Sequence, residues 1–200
     1  MFSTIISAKD LHQHLHDPSW RVVDCRFQLD DTEAGRRAYQ AGHIPGALYA
    51  HLDKDLSGPI IPQQTGRHPL PSVAETEALF SRLGIDRKVQ VVVYDDKGGA
   101  IAARLWWMLR WLGHDAVAVL DGGWSAWIAH AYPVEDTVPD VALRTFIAQE
   151  RTDWILNADQ VDAIRQDDEW ALIDSRTPER YRGEHEPIDP VAGHIPGARN

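Results

Sequence analysis

One thiol, three closely spaced histidines and one glycine-rich loop are the features of this sequence that could do chemistry unaided. Cys25 is the only cysteine. It stands in RVVDCRF directly after an apolar run, and a cysteine reacts only as its thiolate, which needs an electropositive, accessible setting. The C-x5-R spacing of a phosphatase cysteine is not met, because Asp31 falls where arginine would be required. A small core residue at a strand end is the expected role. His12, His14 and His16 lie on a predicted helix, with His12 and His16 on one face. A metal site needs a third ligand and an ordering shell, and nothing nearby offers H-E-x-x-H. A solvated helix surface is expected there, and no metal. The DDKGGA stretch (95–100) looks like a phosphate loop but lacks the G-K-[ST] ending and leads with two acids, so nucleotide binding is not expected.

The elements that must position these groups follow from periodicity. Ser72-Val-Ala-Glu75 is a capping box that opens the helix VAETEALFSRLG, closed by Gly84. VQVVVY (89–94) is a continuous β-branched run, as in a strand buried on both faces of a parallel sheet. DDKGGA turns directly into IAARLWWMLRWLGH, where Leu105, Met108, Leu109 and Leu112 form one apolar stripe. AVAVLDGG supplies another strand and turn, then a short helix with Trp124 and Trp127. Strand alternating with helix predicts an α/β fold with a mainly parallel central sheet flanked by helices.

Composition bounds the function. Hydrophobic residues make up 44% of the chain and there are eight tryptophans, enough for a packed core. The net charge of −10 disfavours nucleic acid and anionic membranes as partners. No apolar run approaches a membrane span, and the first residues lack the pattern of a signal peptide. A single cysteine excludes an internal disulfide; a reducing, cytoplasmic location is expected.

The heptapeptide AGHIPGA occurs at 41–47 and again at 192–198. Upstream, IISAKDLHQHLHDPSWRVVDCR is matched by ILNADQVDAIRQDDEWALIDSR, pairing Ser7 with Asn157, Asp24 with Asp174 and Arg26 with Arg176. A period near 150 residues is that of a domain rather than of a solenoid unit, so a tandem duplication is expected. The first copy spans 1–131, a linker broken by Pro133 and Pro139 spans 132–150, and the second copy begins at 151 and runs to 200. That second stretch lacks counterparts of VQVVVY, LWWMLRWLG and AVAVLDGG, so it is expected to be a domain cut short or one that leans on the first copy. The Asp-x-Arg pairs and the Pro-Gly turns occur in both copies, which suits ion pairs at strand ends and sharp chain reversals.

In their order, D-x-R, GHIPGA, VVVYD, ARLWWMLRWLGH and VLDGGWSAW resemble the tandem rhodanese-type sulfurtransferases, a family that includes thiosulfate and 3-mercaptopyruvate sulfurtransferases. The resemblance implies two rhodanese-like domains, the first silent and the second carrying a cysteine that takes sulfur from a donor as a persulfide and passes it to an acceptor. Such a sulfur anion is favoured by backbone N–H groups converging at a helix N-terminus. Asp95 stands where the family's active copy places cysteine, and a carboxylate cannot carry transferable sulfur. His43 and Asp95 are 52 residues apart; the same interval from His194 ends about 46 residues after Asn200, given drift in loop lengths. The nucleophile is therefore expected beyond residue 200. Arg180, in SRTPERYRGE, matches the family arginine that holds the donor's carboxylate or sulfonate, with Arg182 a weaker neighbour. The alternative is a solvated arginine paired with Glu179 or Glu184. A second family arginine is replaced by Ile188. His43 matches a histidine that lies near the active site in some members and could move a proton, while its repetition as His194 suits a structural role. The resemblance thus implies a small anionic sulfur donor, a thiol or cyanide acceptor and no organic cofactor, since the enzyme's own sulfur carries the group. A non-catalytic anion- or partner-binding module of the same fold is the second reading, and a redox protein using Cys25 the third.

Overall fold

A computed structural model describes residues 1–200, which divide into two compact units, Met1–Arg151 and Thr152–Asn200. In the first unit the elements run β1 (Ile5–Ile6), α1 (Ala8–Gln13), β2 (Trp20–Asp24), α2 (Ala34–Ala41), β3 (Leu48–Tyr49), α3 (Val73–Arg82), β4 (Gln90–Tyr94), α4 (Ala102–Trp111), β5 (Val117–Leu120) and α5 (Gly123–Ala129). The five strands form one parallel sheet in the order β1-β5-β4-β2-β3. The β-branched run becomes the central strand: β4 is buried along its whole length and pairs with β2 through Val22↔Val92 and with β5 through Val91↔Val117. This is the α/β architecture the alternation of periods predicts.

The helices form as their termini and stripes dictate. Ser72 accepts from Glu75 N–H while the Glu75 carboxylate takes the Ser72 N–H, a complete capping box on α3. On α4 the stripe of Leu105, Met108, Leu109 and Leu112 is buried. Across the sheet Ile6, Leu11, Val22, Val92, Leu120 and Trp127 share one core cluster, burying side chains worth about 1.5–3 kcal/mol each on transfer from water.

The segment 132–150, expected as a linker, runs on as part of the first unit. Glu135 exchanges both backbone hydrogen bonds with His43. Arg144 pairs with Asp86 at 2.9 Å, buried Phe146 meets Phe80 edge-on at 4.9 Å, and Gln149 N–H reaches Leu112 O. Proline removes helical and strand periodicity here without freeing the chain, because isolated anchors fasten it. By its contacts the first compact unit runs to Arg151.

The second unit holds a short 3₁₀ turn (Thr152–Trp154), α6 (Ala158–Ile164) and α7 (Pro178–Arg182). Asn157 and Gln160 cap α6 reciprocally, and a single parallel bridge joins Ile173 to Arg199. Trp170, Ile173, Val191 and Ile195 are more than half exposed. No helix in either unit is long and apolar enough to cross a membrane.

Candidate functional site

The strand–loop–helix corner of the first unit is a filled anion cradle. Asp95 follows β4 directly, and its side chain is buried. Its Oδ1 accepts from the N–H groups of Lys97 and Gly99, and its Oδ2 from those of Ile101 and Ala102, all at 2.8 Å. Gly98 and Gly99 have φ of +67° and +90°, which lets successive amides turn inward as few other residues would allow. The backbone closes the far side: Trp124 N–H donates to Asp95 O at 2.9 Å, and a Cβ on Gly123 would lie 2.2 Å from that oxygen. The cradle thus holds one anion, and the chain supplies it.

A cavity of about 250 Å³ adjoins this corner, lined by Leu29, Leu52, Arg67, His68, Ala100, Ile101 and Arg104. Arg104 is braced by the carbonyls of Leu56, His68 and Pro69. His68 Nε2 lies 3.0 Å from Asp53 Oδ1. Burial pushes the His68 pKa below its ordinary value in spite of Asp53, so near neutral pH the ring is uncharged. An Nε2–H held by Asp53 leaves Nδ1 as a base, the arrangement that lets a histidine move a proton. The sequence reading missed Asp53, His68 and Arg104. The first two sit in an aperiodic loop fifteen residues apart, and Arg104 stands among the apolar residues of α4; only the fold brings them together.

Cys25 is fully buried. Burial, reinforced by the Asp24, Asp95 and Asp55 carboxylates, pushes its thiol well above the ordinary range, so the thiolate that could act as a nucleophile is suppressed. His12 and His14 stack on Tyr132 and Trp20 at 4.2 and 4.1 Å, which accounts for both as packing partners.

The repeated residues make the same contacts in each unit. Arg26 forks onto Asp24 and donates to Gly42 O; Arg176 forks onto Asp174 and donates to Gly193 O. Tyr39 OH donates to Ala47 O at 2.8 Å and Tyr181 OH to Ala198 O at 2.7 Å. His43 Nδ1 meets Tyr39 O with the rings stacked at 4.0 Å, and His194 Nδ1 meets Tyr181 O with the rings at 3.8 Å. The His43 ring is enclosed, with Nε2 3.7 Å from Glu135 Oε1. Its surroundings suit the structural role that its repetition suggested.

In the second unit the structure places Arg180 and Arg182 on α7. Arg182 makes a half-exposed pair with Glu184 at 2.7 Å. Arg180 is more enclosed: Nε lies 3.1 and 3.0 Å from the two Glu186 oxygens, and Nη2 lies 2.7 Å from Asp189 Oδ2. Its partners are therefore Glu186 and Asp189, not Glu179 or Glu184. Hydrogen bonds from Arg180 chiefly, and from the Asp189 and Ile188 amides, lower the Glu186 pKa to about 2.

A parallel α/β domain whose central strand ends in an amide-lined anion cradle defines a class. The sequence profile of the rhodanese-like domain matches residues 7–130, and this chain belongs to the rhodanese-like family. It is 44% identical over 196 residues to the probable 3-mercaptopyruvate sulfurtransferase of Pseudomonas aeruginosa, covering 98% of this chain and 69% of that protein. It is 42% identical over 187 residues to the putative thiosulfate sulfurtransferase SseB of Mycobacterium tuberculosis, covering 90% of this chain and 63% of the relative. Among solved structures, the 3-mercaptopyruvate sulfotransferase SseA of Escherichia coli superposes with a TM-score of 0.83 at 28% identity, covering 97% of this chain and 72% of that one. The chain thus spans roughly two thirds of the length of these relatives.

Proposed function

We propose that these 200 residues belong to a tandem-domain sulfurtransferase and supply its silent first domain together with the donor-binding edge of its second. The enzyme moves a sulfane sulfur from thiosulfate or 3-mercaptopyruvate to cyanide or a thiol. A cysteine thiolate attacks the outer sulfur of the donor, releasing sulfite from thiosulfate, or pyruvate from mercaptopyruvate with the thiol proton ending on carbon. The resulting persulfide anion passes its terminal sulfur to the acceptor and regenerates the thiolate. The cysteine lies in sequence beyond Asn200, and Arg180 receives the donor's carboxylate or sulfonate.

The observation that carries this reading is the Asp95 cradle: four amides converge on an anion at the point where a persulfide-bearing residue would sit. Its occupation by carboxylate, with the one thiol buried elsewhere, leaves the first domain a scaffold. Cyanide-dependent thiocyanate formation, assayed with both donors, tests it. The chain extended through the following coding sequence is expected to turn over at least one donor, and the 200-residue chain neither. An extended chain inert with both donors overturns the proposal and favours a non-catalytic anion- or partner-binding module, for which the filled cradle is the supporting observation.

A further inference from the structure

His51 stands just after β3, and its ring is fully buried, with the rings of Phe27 and Tyr49 at 5.2 and 6.2 Å. Its Nδ1 accepts from two backbone N–H groups, those of Asp53 at 3.1 Å and Lys54 at 3.3 Å. Two donors aimed at one ring nitrogen require its lone pair there, so the ring is neutral and carries its proton on Nε2. Nε2 itself makes no hydrogen bond, and Glu33 Oε1 stands off from it at 3.5 Å. The turn closed in this way presents Asp53, whose Oδ1 meets His68 Nε2 at 3.0 Å, and His68 lines the cavity beside the Asp95 corner.

The two nitrogens of His51 make opposed demands. The turn needs Nδ1 bare, because a proton there would meet two amide hydrogens, whereas Glu33 at Nε2 favours a charged ring. Lys54 arbitrates. Its backbone N–H is one of the two donors to Nδ1, and its ammonium is bonded to the same Glu33 oxygen that faces Nε2. A turn that opens withdraws both and leaves Glu33 to His51. The other groups around the ring do not oppose this. Arg36 lies 3.5 Å from the other Glu33 oxygen. Asp55 accepts from the His51 backbone N–H at 2.8 Å and is held by Arg82 at 3.0 Å. Phe27 and Tyr49, the latter donating its hydroxyl to Arg26 O, face the ring uncharged.

We propose that His51 is a positioning residue for the His68–Asp53 pair and a proton-operated latch on it. Neutral, His51 holds the turn closed and Asp53 on His68. When it takes a proton from solvent the turn opens, Lys54 gives up Glu33 to the charged ring, and Asp53 leaves His68. The pair at the cavity is thus assembled only while a second, buried histidine is uncharged. The latch lies wholly within the first unit and is independent of the sulfurtransferase reading.

The test follows the 200-residue chain by NMR: the tautomer and charge of the His51 and His68 rings, and the hydrogen-exchange protection of the Asp53 and Lys54 amides. Protection of the α3 amides checks that the unit stays folded. His51→Asn places Oδ1 where Nδ1 now stands, so it can accept the same amides, as in an Asx turn, but cannot titrate. Between about pH 7.5 and pH 5 the native chain should lose Asp53 and Lys54 protection at least about tenfold. The open turn binds one more proton than the closed one, so its population grows about tenfold per pH unit below the open ring's titration. The Asn variant should change less than about twofold over that range. Near pH 7.5 His68 should carry its proton on Nε2 in the native chain and the Asn variant, and His51→Ala should divide it between the two nitrogens. Protection kept by the native chain at the lower pH, or lost equally by the Asn variant, overturns the latch. An Asn variant with Lys54 unprotected and the His68 proton divided near pH 7.5 overturns the positioning role, whether or not His51→Ala folds. A folded His51→Ala chain in which His68 keeps its Nε2 proton overturns it as well.

Discussion

Replacing Asp95 by alanine tests the cradle most directly. The substitution removes four charge-assisted hydrogen bonds of 2.8 Å from a buried side chain and leaves four amides pointing into one small space. Hydrogen bonds to a charged group are worth about 1.5–3 kcal/mol each, and a buried unsatisfied donor costs about 1–3 kcal/mol. The four are not additive, since they share one carboxylate and water can enter the vacated space. A loss of about 4 kcal/mol is therefore expected for the first unit, a fall of about 12 °C in Tm for a unit of this size. Urea unfolding followed by tryptophan fluorescence measures it, because six of the eight tryptophans lie in that unit. The emptied cradle should then accept an added anion. Formate at ten times its dissociation constant should restore about 1.4 kcal/mol at constant ionic strength, and should leave the native chain unaffected. A loss under 1 kcal/mol, or rescue no larger with formate than with formamide, would refute the view that these amides are organised around negative charge.

Other perturbations read other parts of the structure. Arg26→Met strands the buried Asp24 carboxylate with Tyr94 as its remaining side-chain donor and should cost about 3–5 kcal/mol in urea unfolding; the double variant Asp24→Asn/Arg26→Met should recover at least half of it. Cys25 should resist an aromatic disulfide reagent at pH 8 in the folded protein and react with one equivalent in urea, so rapid stoichiometric labelling of the native chain would contradict its burial. In the second unit, arginine partners lower Asp174 and Glu186 each to about 2. Carboxylates depressed in the folded state stabilise it above their ordinary values near 4 and lose that contribution as pH falls through the folded values. The contacts around Arg176 and Arg180 should therefore loosen between about pH 4.5 and 2, as followed by carboxyl NMR titration; a Glu186 midpoint near 4 would show that the Arg180 pair does not form.

Much of the first unit was legible one element at a time. The Ser72–Glu75 capping box, the unbroken run of β4 and the stripe on α4 each encode a local rule, a cap satisfying its own amides or a period matching its own face, and each formed where the residues place it. The anchors of the segment 132–150, Arg144 on Asp86 and Phe146 on Phe80, were not legible because they carry no period at all. The heptapeptide shows where local reading stops. The tyrosine that stacks on its histidine lies four residues upstream in the first copy and thirteen in the second, a spacing that no single pattern captures, yet the contacts are alike.

What the amino-acid order settled by itself was the family, the strand–loop–helix corner and the position of Asp95, because those depend on neighbours in the chain. Tertiary structure alone decided that Asp95 fills its own cradle, that His68 meets Asp53, and that Arg180 is met by Glu186 and Asp189. Each of these depends on where a loop returns in space, and an irregular loop carries no periodic signal of its destination. Side chains with opposite charge are common in the sequence; burial and hydrogen-bond distance in the fold select which of them become partners.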